Sequence, residues 1–141
     1  MKLAELFSRG LPPLALAPMQ DVTDLAFMKM VEKRGGADLY VTEYFRVYPG
    51  CTLNKYILRS ITQNSSRKPI LAQMIGNDVA ELVRTARELR RYPIAGVDLN
   101  LGCPAPVVYR KCAGGGLLRE LDRVDQILGA LREALDIPLT V

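Results

Sequence analysis

The sequence predicts an α/β fold of parallel strands joined by crossover helices, and three observations carry that expectation. Short, strand-like apolar segments alternate with segments whose apolar residues recur every three to four positions. The strand-like segments are mostly apolar throughout, as strands are when both faces are covered. Polar and special residues gather at the C-terminal end of each such segment, where parallel α/β folds build their sites.

Taken in order, Leu14-Ala15-Leu16-Ala17-Pro18-Met19 is a short apolar run that ends in a turn. A helix is expected from Asp24 to Arg34, with Phe27, Met30 and Val31 on one face and Gly35-Gly36 stopping it. Leu39 to Tyr44 is rich in β-formers and reads as a second strand. Within Pro49 to Gln63, Leu53, Ile57 and Leu58 point to a helix. Pro69 to Ile75 is a third strand. Asn77 or Asp78 can cap the helix after it, with Glu81 completing a capping box from Asp78. The inner face of that helix carries Val79, Leu82, Val83, Ala86 and Leu89; Arg84, Arg87, Arg90 and Arg91 line its outer face. Ala95 to Leu101 is a fourth strand. Asp122 caps a helix with Val124, Ile127, Leu128, Leu131 and Leu135 inside, and Ile137 to Val141 starts a fifth strand.

This alternation fits an open doubly wound sheet or a (β/α)8 barrel. A barrel takes about 250 residues, so the 141 residues here would supply about half of one. Residues 1–141 show no repeat or linker, and read as the N-terminal part of something longer. An apolar fraction of 49% and a charged fraction of 24% exclude a disordered chain and a disulfide scaffold. No apolar run approaches the roughly 18 residues of a membrane span. The segment Met1 to Arg9, interrupted by Glu5, lacks a signal peptide's apolar stretch. The chain therefore reads as cytoplasmic, with no membrane partner. It holds no histidine, which excludes Ser-His-Asp hydrolysis and His-ligated metal within it. Cys51, Cys103 and Cys112 form no Cys-x-x-Cys pair and read as reduced thiols; no metal site is expected. The net charge of +4 is compatible with a polyanion partner and equally with an ordinary solvated surface.

The candidate chemistry sits at the strand ends. Cys103 lies in Asn100-Leu101-Gly102-Cys103-Pro104, where Gly102 and Pro104 restrict the backbone and hold the thiol on a fixed turn. With a reference pKa near about 8.5, a thiol is mostly protonated at neutral pH and can act as a general acid. The competing role is that of a small buried apolar residue, which is the reading for Cys51 and Cys112. Met19 could pack on a flat ring or simply end a strand, and Gln73 could bind a heterocycle or tie down a loop. Gly114-Gly115-Gly116 matches no dinucleotide or P-loop pattern and reads as a flexible or tightly packed turn. Arg110-Lys111 are candidates for phosphate contacts.

Together, Ala17-Pro18-Met19, Thr42-Glu43, Gln73, Asp98-Leu99-Asn100-Leu101-Gly102-Cys103-Pro104-Ala105-Pro106 and Gly114-Gly115-Gly116-Leu117-Leu118 resemble the tRNA-dihydrouridine synthases over nearly the whole chain. The resemblance implies a parallel (β/α)8 barrel of TIM type that binds flavin mononucleotide (FMN), of which this chain supplies about the first four βα units and the start of the fifth strand. It implies reduction of specific tRNA uridines to dihydrouridine, with NADPH reducing the flavin. By resemblance Pro18, Met19 and Gln20 line the flavin, Gln73 hydrogen-bonds its ring, and Cys103 protonates C5 of the uracil. Asn100 would lie beside the base. Thr42-Glu43-Tyr44-Phe45-Arg46-Val47 is similar to the bacterial C-type branch, which assigns Arg46 to tRNA, with Lys111 a further candidate. The family's remaining flavin and tRNA elements would fall beyond Val141, so residues 1–141 alone are expected to bind flavin weakly or not at all and to turn nothing over. Two other readings are a flavin barrel acting on a free pyrimidine, like the dihydroorotate dehydrogenases, and a non-catalytic half barrel that pairs with another chain.

Overall fold

The computed structural model describes residues 3–8 and 10–141; Met1, Lys2 and Arg9, part of the segment weighed above against a signal peptide, lie outside them. Strands β1 (Ala15–Leu16), β2 (Leu39–Val41), β3 (Phe45–Arg46), β4 (Ile70–Ile75), β5 (Gly96–Leu99) and β6 (Leu139–Thr140) form one sheet. Every pairing is parallel, and the strands lie in chain order, β1-β2-β4-β5-β6, with β3 also on β4. That order decides between the two architectures. A doubly wound sheet reverses its strand order at a switch point, whereas a barrel lays each strand beside the last. The sheet is that of a partial (β/α)8 barrel.

The second predicted strand is two strands with a kink between them. Val41 stands opposite Leu71 and Phe45 opposite Met74, so four steps on one side meet three on the other. One residue is extra, which is a β-bulge. Thr42 makes it possible: its buried hydroxyl accepts the Gln73 N–H at 3.1 Å and donates to the Glu43 carbonyl at 2.8 Å. A side chain thus takes over a ladder bond, and the chain bends between β2 and β3.

The helices are α1 (Leu3–Phe7), α2 (Leu25–Glu32), α3 (Lys55–Thr62), α4 (Val79–Leu89), α5 (Pro106–Tyr109) and α6 (Leu121–Ala134), with a 3-10 turn over Gly114–Arg119. Asp24 caps α2 by accepting the Phe27 N–H at 2.8 Å, and Gly35 and Gly36, both at positive φ, end it as expected. The predicted face is shifted: Met28 is the fully buried residue, while Met30 is 53% exposed. Asp78 caps α4, accepting the Glu81 N–H at 2.9 Å. The Glu81 carboxylate pairs with Arg84 at 2.8 Å. Arg84 also reaches beyond its helix to the Cys51 carbonyl at 2.8 Å. Asp122 does not cap α6; the 3-10 turn runs straight into the helix, whose cap is Glu120, and Asp122 falls in the first turn. There it still faces the positive end of the helix dipole.

Alternation along the strands gives the sheet two different faces. Tyr40, Ile70, Ala72, Met74, Val97 and Leu99 join the large core with Met28, Leu82, Leu89, Ile127 and Leu131 of the outer helices. On the other face Leu39, Val41 and Leu71 cluster with Leu3 and Leu6 of α1. In register along the same face lie Gln73, opposite Asp98, and then Thr140. The inner face is thus apolar at the N-terminal ends of its strands and polar at the C-terminal ends, which places the site.

Candidate active site

The polar layer is one continuous hydrogen-bonded chain. Thr140 Oγ1 donates to Asp98 Oδ1 at 2.5 Å. Asp98 Oδ2 accepts from Gln73 Nε2 at 2.6 Å. Gln73 Oε1 accepts from Asn100 Nδ2 at 3.0 Å. Asn100 Oδ1 accepts the backbone N–H groups of Cys103 at 2.9 Å and Gly102 at 3.2 Å. Side chains from β6, β5 and β4 therefore end on the turn that carries the thiol. Asn100, placed by resemblance beside a base, has both lone pairs of its oxygen engaged in holding Cys103 and retains one amide hydrogen.

The other side of that turn rests on glycine. Gly115 N–H donates to the Cys103 carbonyl at 3.0 Å. A Cβ added at Gly114, which sits at φ +53, would come within 2.9 Å of that carbonyl and 3.0 Å of Cys103 Cβ. A Cβ at Gly116 would meet the Tyr109 carbonyl at 2.3 Å. The triple glycine is a tightly packed turn whose backbone seats the cysteine. Cys103 itself is half-buried and free; Cys51, which is buried, and Cys112, which is half-buried, are free as well.

Tyr44, a neighbour of the thiol, also holds the loop after β1. Buried Thr23 accepts the Met19 N–H at 3.0 Å and donates to the Ala17 carbonyl at 2.8 Å. Glu43 accepts the N–H of Asp21, a residue at φ +60, at 3.0 Å. The Tyr44 hydroxyl donates to Gln20 Oε1. Burial raises the Tyr44 phenol above its ordinary pKa; the neighbouring Cys103 raises it further, and Arg46 opposes the rise. The loop thus holds Pro18 half-buried and presents Met19 and Gln20 exposed. Pro18, Met19, Gln20 and Gln73 are uncharged, and Gln73 keeps one donor and one acceptor beyond its two internal bonds. This set suits a polar heterocyclic ring; it offers no cation to a phosphate.

Arg46 and Lys111 are exposed and line one cleft of about 180 Å³ with Tyr48 and Val107. The Arg46 guanidinium stands 5.7 Å from the Tyr44 ring centre. Among the described residues no group of three or more His, Cys, Asp or Glu is placed to hold a metal ion. Nor is any helix long and apolar enough to cross a membrane. Sequence reasoning missed Thr23 and Thr140 as site residues, and quoted Thr42 and Tyr44 in a strand-end stretch without giving either a role. Their partners are set by strand register for Thr140 and by loop packing for the others. Asp98 stood in the quoted signature, but its partners are 25 and 42 residues away.

A family model described as dihydrouridine synthase matches residues 15–141. Among curated relatives, tRNA-dihydrouridine(16) synthase of Neisseria meningitidis is 36% identical over 90% of this chain and 40% of its own length. The tRNA-dihydrouridine synthase B of Xanthomonas campestris pv. campestris is 35% identical over 92% of this chain and 39% of its own. The protein of that name from Xanthomonas axonopodis pv. citri is 33% identical, with the same coverage of 92% and 39%. The chain therefore spans about two fifths of the length of these relatives.

Proposed function

Because this chain belongs to the dihydrouridine synthase family, we propose that it forms the first βα units of the FMN-dependent catalytic barrel of a tRNA-dihydrouridine synthase. That enzyme reduces specific uridines in tRNA to 5,6-dihydrouridine in the cytoplasm, with NADPH as the ultimate reductant. The observation that carries the proposal is the Cys103 thiol, held at the strand-end rim by Asn100 and by the Gly115 N–H. The bound flavin would supply a hydride for C6 of the uracil. Cys103 supplies the matching proton to C5, becomes a thiolate, and recovers its proton from solvent. A thiol suits this task because it is protonated at neutral pH yet acidic enough to give the proton up.

Pro18, Met19 and Gln20 would lie against the ring, with Gln73 offering its spare donor and acceptor to the ring edge. Arg46 and Lys111 would meet tRNA phosphates. A uridine stacked in tRNA cannot reach a thiol on this rim, so the base must leave its stack, as it does for other base-modifying enzymes. With an uncharged cofactor set, residues 1–141 alone bind flavin poorly and do not turn over.

The test is anaerobic dihydrouridine formation on unmodified tRNA by the full-length protein that contains this chain. Cys103→Ala should lower the rate by about 10²–10⁴, the usual worth of a positioned general acid. An unchanged rate removes Cys103 from the mechanism. Dihydrouridine formed by residues 1–141 alone would overturn the reading of this segment as incomplete.

A further inference from the structure

Two clefts share one wall on the rim. Tyr44, Arg46 and Tyr48 line both. The larger, of about 600 Å³, is also lined by Asp21, Asp24 and Glu43. The smaller, of about 180 Å³, carries Lys111, Asn77 and Val107 instead. The two differ in sign: three carboxylates share one cleft with Arg46, and a second cation, Lys111, shares the other.

The smaller cleft has a fixed floor. Asn77 Nδ2 donates to the Lys111 carbonyl at 2.8 Å, and the Asn77 carbonyl accepts from Arg123 Nε at 3.0 Å. The Lys111 N–H donates to the Val108 carbonyl at 3.1 Å. Val108 also lines the cleft, and its Cγ1 lies 3.0 Å from where a Gly114 Cβ would stand, beside Cys103. Tyr48 is 59% exposed and Val107 also 59%, so a flat ring and an aliphatic side chain are open to solvent within one cleft.

We propose that this cleft is a subsite for the nucleotide next to the target uridine, its base against Tyr48 and Val107 and its phosphate between Arg46 and Lys111. The proposal rests on the reading of the substrate as RNA. It adds a direction: the polynucleotide leaves the thiol over α5, whose Val107 and Val108 line this cleft, because the carboxylates that line the larger cleft repel phosphate. One cleft holds one base, so the contribution is a stacked base and a neutralised phosphate.

The experiment measures binding of a fluorescein-labelled pentauridylate to the full-length protein that contains this chain by anisotropy at 50 and 200 mM salt. Lys111→Gln should weaken binding at low salt and flatten the salt slope by about 0.7, the value for one phosphate contact on a single strand. Tyr48→Ala should weaken it about tenfold, within the usual range for one stacked base. Asp24→Asn, which keeps the α2 cap, and Arg87→Gln, on the outer face of α4, should stay within about twofold of wild type, since neither touches the occupied cleft. All four side chains are exposed, and circular dichroism checks each fold. No binding by wild type at 50 mM salt overturns the proposal. So does equal weakening by Arg87→Gln and Lys111→Gln, or an intact affinity in Tyr48→Ala. None of these results bears on uridine reduction, which stands or falls with Cys103→Ala.

Discussion

Gly114→Ala puts a methyl group against the loop that carries the thiol, and its cost follows from two local terms. Gly114 sits at φ +53, where an L-residue with a Cβ costs about 1 kcal/mol or somewhat more. The new Cβ would stand 2.9 Å from the Cys103 carbonyl, 3.0 Å from Cys103 Cβ and 3.0 Å from Val108 Cγ1. None of these is the far end of a flexible chain, so the neighbours must shift, at about 1–3 kcal/mol for an overpacked site. The sum is about 2–4 kcal/mol. With a urea m-value of about 2 kcal/mol/M, the midpoint falls by about 1–2 M.

Gly102→Ala is the internal control. It lies on the same turn, but nothing comes within 4 Å of its added Cβ, so the change should stay within about 0.5 kcal/mol. The second readout is alkylation of Cys103 by iodoacetamide, followed by peptide mapping. Gly114→Ala should alter the Cys103 rate and leave buried Cys51 unreacted in the folded state. A Gly114→Ala midpoint within about 0.3 M of wild type would refute the packing argument. An equal fall in Gly102→Ala would refute it as well.

Two further outcomes follow from the rim. Thr42→Val keeps the shape of the side chain but strands the Gln73 N–H that Thr42 Oγ1 accepts at 3.1 Å; a loss of about 1–3 kcal/mol is expected in urea unfolding, and no loss would mean the bulge does not depend on the hydroxyl. The Tyr44 phenol is raised above its ordinary pKa by burial first and Cys103 second. The neutral phenol therefore contributes stability that is fully present below about pH 10 and is lost as pH rises through the higher folded value. Tyr44→Phe should flatten the alkaline fall in stability, and an unchanged fall would show that Tyr44 contributes nothing to it.

The fold was legible because it depends on apolar pattern. Leu82, Ala86 and Leu89 were expected inside and are fully buried, and helix signals at Asp78 and Gly35-Gly36 act locally, within a turn of the residues they cap. The departures have local physical causes. The face expected for α2 was Phe27, Met30 and Val31, but packing into the core buries Met28 and leaves Met30 exposed. The kink after β2 comes from a hydroxyl replacing a backbone acceptor 31 residues away, which no period in the sequence announces. The start of α6 moved because the preceding 3-10 turn continues into it. In the site, Cys103 was singled out by its turn and Gln73 by its position at a strand end, Asn100 only through the family resemblance, and the structure brings the three into one network. The groups that hold them were not legible, since Thr140, Thr23 and Gly115 acquire their partners only through strand register and loop packing.

The order of residue types in that network fixes how Cys103 is held. A carboxylate only accepts, so Asp98 obliges Gln73 to turn its amide nitrogen toward it, at 2.6 Å. The Gln73 oxygen must then face Asn100 and receive its nitrogen at 3.0 Å. That leaves the Asn100 oxygen, not its NH₂, facing the Cys103 N–H at 2.9 Å. Gln73→Glu tests this logic with almost no change of shape. It places a second carboxylate against Asp98, and two carboxylates at such a distance cannot both ionise. One of them must hold a proton in the folded state, with its pKa raised by its charged neighbour. The variant should lose about 3 kcal/mol at pH 7, the order of cost of an uncompensated buried charge. Because the folded pKa is raised, the lost stability returns as pH falls below the ordinary carboxylate range, where a shared proton restores the bond. Urea midpoints at pH 7 and pH 4.5, each referred to wild type at the same pH, measure the recovery. A deficit equal at both values would mean that Asp98 does not set the orientation of Gln73, and the chain of forced orientations leading to Cys103 would lose its first link.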